Sequence, residues 1–191
     1  MSTPSDAGTA AAPRASRYAM GTAANMARSL LVILALVGVL VAIVPRGEGT
    51  TAPAVDAASV VSQAVKDSGL AFEAPVGLGD GWTATSARYA VSTDSRPTWQ
   101  AVWSTPSGAS IALKQTSAAT SKWLDVATNH GTRDSSVDLG GRTWERRVDA
   151  RDQTSLVVVS PQGLTTVVTA TGGLDEVGQL IDALRPAVPA S

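Results

Sequence analysis

The sequence predicts an α+β protein: an N-terminal transmembrane helix, then a mainly antiparallel sheet of about six strands with three helices. Three observations carry that prediction. An uncharged run from Ser29 to Pro45 lies between Arg28 and Arg46. Beyond it, apolar residues alternate at period two in several short runs, twice interrupted by a Ser/Thr-Pro-x-Gly turn, at Thr105–Gly108 and Ser160–Gly163. Between these runs lie stretches of helical spacing bounded by capping residues.

The uncharged run comes first. At 1.5 Å rise per residue its length is about 25 Å, the short end of what spans a bilayer core. Ala24 to Ala27 lengthen it, with Arg28 reaching back toward the headgroups, so the expected span is 26–45. Pro45 and Gly47 stop the helix. Arg14, Arg17 and Arg28 against the single acid Asp6 orient the N-terminus to the cytoplasm and the C-terminal domain outside the cell membrane. An uncleaved anchor is preferred to a cleaved signal peptide, because the basic stretch before the run is nearly thirty residues long and Ala52-Pro53-Ala54 puts proline into the cleavage motif. The bilayer is thus one expected partner, through residues 26–45. Gly38 and Ala42 form a small-x-x-x-small pair, a weak signal for dimerisation in a span this rich in small residues.

Residues 1–25 are Ser, Thr, Ala, Pro and Gly with few large apolar side chains, the composition of a disordered cytoplasmic tail. Residues 46–54 read as a linker, 55–186 as one extracytoplasmic domain and 187–191 as a tail.

Within the domain the first helix is expected over 56–68, capped by Asp56 and ended by Gly69, with Val61, Ala64, Val65 and Ser68 as its inner stripe. Extended runs follow at 81–91 and 98–104. In the second, Trp99, Ala101 and Trp103 share one face, so the two indoles should be buried or exposed together. After the first turn, Ile111 and Leu113 mark a third run. Ala119 to His130 reads as a helix with Trp123, Val126 and Ala127 inward and Gly131 just past its end. The order then returns: strands at 142–149 and 155–160, the second turn, a strand at 164–170, and a helix at 174–184 with Leu174, Val177, Ile181 and Leu184 inward. The two turn prolines are 55 residues apart, which suggests duplication. Little else matches between the halves, so an ordinary α+β domain is the preferred account. A Mog1/PsbP-like sandwich is the nearest analogy.

Composition removes several kinds of function. With 15 Lys+Arg against 16 Asp+Glu the chain lacks the basic surplus that drives nucleic-acid binding, so no nucleic-acid partner is expected. No cysteine means no disulfide, thiolate metal site or cysteine nucleophile, and no lipidated cysteine as anchor. The single histidine, His130, has Asp125 and Asp134 near it in sequence, but Asn129-His130-Gly131 reads as a helix end, where a histidine complements the dipole. No G-x-S-x-G elbow accompanies it. The glycines at 77, 79 and 81 lack the Lys-Ser/Thr of a phosphate loop, and the acids lack the alternation of a calcium loop. No catalytic, metal or cofactor-binding residue is therefore assigned. Arg142, Arg146, Arg147 and Arg151 interleave with Asp138, Glu145, Asp149 and Asp152, which reads as a salt-bridged strand surface rather than a lipid-headgroup site. Trp82, Trp99, Trp103, Trp123 and Trp144 read as core first, with a ligand face as the alternative.

The run Arg28-Ser-Leu-Leu-Val-Ile-Leu-Ala-Leu-Val-Gly-Val-Leu-Val-Ala-Ile-Val-Pro-Arg46 is followed by Val55-Asp56, Ala74-Pro75, Gly81-Trp82, Trp99 and Trp103-Ser-Thr-Pro-x-Gly108. Then come Leu113-x-Gln115-Thr116, Trp123, Gly141-x-x-Trp144 and Val167-Val-Thr-Ala170. In order and spacing these resemble domain-of-unknown-function family 4245, an actinobacterial family of single-pass membrane proteins, over residues 25–185. The resemblance implies topology and envelope location and brings no reaction or catalytic residue. The expected function is a membrane-anchored extracytoplasmic binding or scaffolding protein whose partner is an envelope protein or ligand. Two alternatives stay open: a hydrolase using His130, and an apolar-ligand or lipid carrier whose tryptophans line a cavity.

Overall fold

The computed structural model describes residues 18–43, with side chains over 25–39, and residues 54–190. Most of the expected linker, 46–53, and most of the expected N-terminal tail lie outside the described residues. The first segment is a single helix, α1 (Tyr18–Ile43), whose described side chains are all exposed. Among the described residues no helix is long and apolar enough to cross a membrane, and the expected span runs past them to Pro45. The helix and the domain that follows are separate compact units.

The domain is α+β. It opens with α2 (Ala57–Ser68), where the Asp56 side chain accepts from the Ser59 amide at 3.0 Å and Gly69 takes the left-handed conformation at φ 68°. Strands β1 (Glu73–Pro75), β2 (Thr83–Val91), β3 (Pro97–Ser104) and β4 (Ser110–Ser117) precede α3 (Ser121–Ala127). Then come β5 (Thr132–Leu139), β6 (Arg142–Val148), β7 (Thr154–Val159), β8 (Leu164–Ala170), α4 (Leu174–Asp182) and β9 (Leu184–Pro186). Seven strands form one antiparallel sheet in the order β2-β3-β4-β8-β7-β6-β5, and β1 pairs with β9 in a separate ribbon.

Both expected hairpins form. Gly108 donates to the Thr105 carbonyl and Gly163 to that of Ser160, each at 2.9 Å, and the two glycines sit at φ 82° and 83°. Such a type I turn followed by a left-handed residue joins antiparallel strands through three residues. The hairpins lie side by side through the β4–β8 pairing, in which Leu113 faces Val168. Those two residues stand 55 apart, as do Gly108 and Gly163, so a local twofold axis perpendicular to the sheet passes between them. The helices break that symmetry. Trp123 and Ala127 of α3 pack on Val157 and Val167, whereas Val177, Leu180 and Ile181 of α4 join the core on the opposite face. The repeat thus covers three strands of each half, β2-β3-β4 and β6-β7-β8, and stops at the helices.

That main core holds Trp99, Trp103, Ile111, Leu113, Trp144 and Leu156 from the sheet, with Val61 and Ala64 of α2. The Glu176 carboxylate at the start of α4 accepts from both the amide and hydroxyl of Ser107, at 3.1 and 2.8 Å, and so clamps the β3–β4 turn to the helix. Hydrogen bonds from Ser107 hold this carboxyl below its ordinary range.

Several expectations need correction. Among the described residues the strands number nine, seven of them in the main sheet, rather than about six. The missing full-length strand is β5, whose residues Thr132–Ser136 are all exposed. It is an edge strand, bulged between Arg133 and Ser135, so it carries charge rather than an apolar alternation. Helix α3 ends at Ala127 rather than His130. Asn129 and His130 are both left-handed, and their amides bond to the Val126 and Asp125 carbonyls, which makes Asn129 the residue that turns the chain out. Helix α4 stops at Asp182, which leaves Leu184 buried in β9, and Leu174 is exposed. Chain beyond Pro186 is tied down: Ala187 donates to the Phe72 carbonyl and Ala190 to that of Ser62.

Candidate functional site

The sheet has one closed face and one partly open face. Period-two alternation sends Trp99, Ala101, Leu113 and Gln115 into the main core, and Gln100, Val102, Ala112 and Lys114 to the other side. Among the described residues of the domain, α3, seven residues long, is the helix that covers that second side, over a small apolar cluster with Val157 and Val167. It is pinned at its start. The Thr120 hydroxyl accepts from the Trp123 amide at 3.0 Å and donates to Asp94 at 2.6 Å, and Lys122 lies 3.4 Å from the same carboxylate. The Thr120 hydroxyl and the Lys122 ammonium hold the Asp94 carboxyl below its usual value. The Trp123 indole donates to Thr98 at 3.0 Å.

Two open spaces flank α3, and a third lies beyond them. A cavity of about 170 Å³ on its β2–β3 side is walled by Arg88, Ser92, Thr98, Gln100 and Lys114. A second, of about 360 Å³, is bounded by Val102, Ala112, Lys114, Asn129, Gln153 and Thr171. A third, of about 430 Å³, lies between Arg151, Gln153, Thr154 and Thr171. Lys114, Val126 and Ala127 wall the first two, which make one trough beside α3 with a mixed polar and apolar lining; the third meets the second at Gln153 and Thr171 and shares Thr154, Ala170 and Gly172 with a space beside α4.

Lys114 stands at its narrow end. Its ammonium donates to the Ala127 carbonyl at 3.1 Å, closing one of the free acceptors at the end of α3. Burial, and secondarily the charge of Arg88, push its pKa down. With its amide oxygen turned toward Arg88, Gln100 accepts from that guanidinium, 2.8 Å from the nearer terminal nitrogen. At the far end the Asn129 amide donates to Asp149, whose carboxyl also accepts from the Arg151 and Gln153 amides at 2.8 and 2.9 Å. Those bonds, led by Gln153, hold the Asp149 carboxyl low and fix the loop beside the trough.

The tryptophans do not come together as an exposed face. Trp99, Trp103, Trp123 and Trp144 are buried, and Trp82 is half-buried against the main core. Trp99 and Trp103 share the same fate, as their common strand face requires. Trp123 alone of the five borders the trough. His130 is exposed, and its ring contacts Asp125 at 2.7 Å, its only side-chain partner among the described residues. The arginines pair as a strand surface: Arg142 with Glu73, Arg146 with Asp134, and Arg147 with Glu145. Among the described residues no three acidic or imidazole side chains gather as a metal site. Sequence reasoning did not single out Arg88, Gln100 or Lys114. Lys114 sits at the opposite parity to Ile111 and Leu113, which marks it as facing away from the core, but strand pairing alone reveals its neighbours.

A family model described as a protein of unknown function (DUF4245) matches residues 19–184. No curated protein matches. Among solved structures, a chain in the crystal structure of MucB in complex with MucA(peri) is similar at 15% identity and a TM-score of 0.35. The similarity covers 62% of this chain and 37% of that one, and at that score it carries no argument about function.

Proposed function

The chain belongs to the DUF4245 family of proteins of unknown function, and from that premise we propose that it is a membrane-anchored extracytoplasmic binding module of the cell envelope. The observation that carries the reading is the trough along the open face of the sheet. It runs beside α3 from Arg88 to Thr171 with a mixed polar and apolar lining, and is walled by the sheet and a pinned helix, as a recognition site on a fixed scaffold should be. The uncharged run Ser29–Pro45 between arginines, and the helix over Tyr18–Ile43, support anchoring in the cell membrane with the N-terminus inside. An antiparallel sheet with helices on both faces supports the Mog1/PsbP-like analogy.

The two rival readings have less support. A hydrolase would place His130 beside a serine in a cavity, yet its side-chain partner is Asp125 alone among the described residues. A lipid carrier would line a cavity with indoles, yet four of the five are packed in cores. The test is to fill the trough without removing a polar contact. Ala112 is half-buried in the middle of β4, and a strand accepts tryptophan well. In a strain lacking the chromosomal gene, an Ala112→Trp chain should accumulate as a folded protein and fail to restore the wild-type phenotype. Full restoration by that variant would contradict the assignment.

A further inference from the structure

Resting on the reading of the trough as the binding site, we infer that its Arg88–Lys114 end receives a carboxylate carried by an acidic side chain of an extended protein segment. The geometry is a single row. Arg88 on β2 faces Gln100 on β3, and Gln100 faces Lys114 on β4. Adjacent strands lie about 4.8 Å apart, so the two cationic residues are rooted about 10 Å apart with a neutral amide between them. One carboxylate with two acceptor oxygens fits between such a pair.

Charge points the same way. Lys122, Arg133, Arg142, Arg146 and Arg147 each lie within ion-pair distance of an acid. Arg88 and Lys114 have none among the described residues, and no acid walls this cavity. Lys114 spends one donor on the Ala127 carbonyl, which leaves two for a ligand. It is half-buried beside a like charge, and its lowered pKa reports the cost of both; an anion relieves both at once. Size and surroundings select the carrier. About 170 Å³ suits a side chain rather than a larger ligand, and the space opens into the wider, charge-poor stretch along Ala112, Asn129 and Thr171. A chain with one acid at this end and uncharged polar residues beyond it matches that distribution.

The test uses the full chain in lipid nanodiscs, followed by amide NMR during titration with three probes. These are a capped Ser-Gly-Glu-Ser-Thr-Gly hexapeptide, its glutamine counterpart, and inorganic phosphate. The glutamate peptide should shift the amides of Gln100, Lys114 and Val126 and bind about tenfold or more tightly than the glutamine peptide, the scale of a charge-assisted hydrogen bond. Arg88→Gln, on an exposed side chain that leaves the fold intact, and Lys114→Gln should each remove that advantage. Equal binding of the two peptides, with shifts at Gln153 and Thr171, overturns the carboxylate inference and leaves the trough standing. Phosphate shifting these amides while the glutamate peptide does not overturns the polypeptide source. No shift with any probe overturns the inference and the trough together.

Discussion

Replacing Trp144 or Trp99 by phenylalanine separates two indoles that are equally buried and differently bonded. Both side chains are 0% exposed. The Trp144 nitrogen donates to the Leu139 carbonyl at 3.0 Å and so fastens the β5–β6 hairpin to the core. The Trp99 nitrogen is buried without a partner among the described residues. Either substitution removes roughly 40 Å² of apolar surface, about 1 kcal/mol at about 25 cal/mol/Å², and leaves a small void. Trp144→Phe adds the loss of a hydrogen bond, about 1 kcal/mol, whereas Trp99→Phe removes an unpaired buried donor and regains about 1–3 kcal/mol. Trp144→Phe should therefore be less stable than Trp99→Phe by at least about 2 kcal/mol. Urea unfolding followed by the fluorescence of the remaining tryptophans measures the difference, provided the slopes match. Equal stabilities, or Trp99→Phe as the weaker protein, would refute the reasoning from hydrogen-bond satisfaction.

Two further outcomes follow from local geometry. His130→Gln breaks an exposed contact with Asp125 and should cost at most about 1 kcal/mol in a denaturant titration while leaving the in vivo role intact; a folded, abundant variant that behaves as a deletion would return the hydrolase to first place. Gly108→Ala and Gly163→Ala meet no atom within 4 Å, so only the left-handed backbone resists them, and each should lower stability by about 1–2 kcal/mol in the same titration.

The elements that were legible in the sequence are those whose signals are local. Asp56 and Gly69 bound α2 because a cap acts on its own helix. The two Pro-x-Gly turns set the β3–β4 and β7–β8 hairpins because turn geometry fixes the pairing of its own strands. Signals that depend on a distant partner were not legible. Strand β5 is held by pairing with β6 and carries no apolar pattern of its own. Leu184 continues the spacing of α4, yet β1 draws it into a ribbon through Pro75. The trough failed to show for the same reason. Arg88, Gln100 and Lys114 are spread over 27 positions of chain and become neighbours only when β2, β3 and β4 align. The tryptophans drew attention because the residue type is conspicuous, and burial accounts for them without any ligand.

The proposed function requires an outward-facing domain that engages its partner through the face carrying α3. The chain contains no cysteine, so one introduced thiol is a unique reporter. Val126 is exposed on α3 beside the trough, and Asp67 is exposed on α2, which packs on the opposite face. Val126→Cys and Asp67→Cys chains are treated with a membrane-impermeant maleimide, first on intact cells and then on the purified protein. Asp67→Cys should react equally in both, and Val126→Cys slowly on cells and fully once purified. A Val126 thiol as reactive on cells as in isolation would contradict the binding face, and an Asp67 thiol unreactive on intact cells would contradict the location.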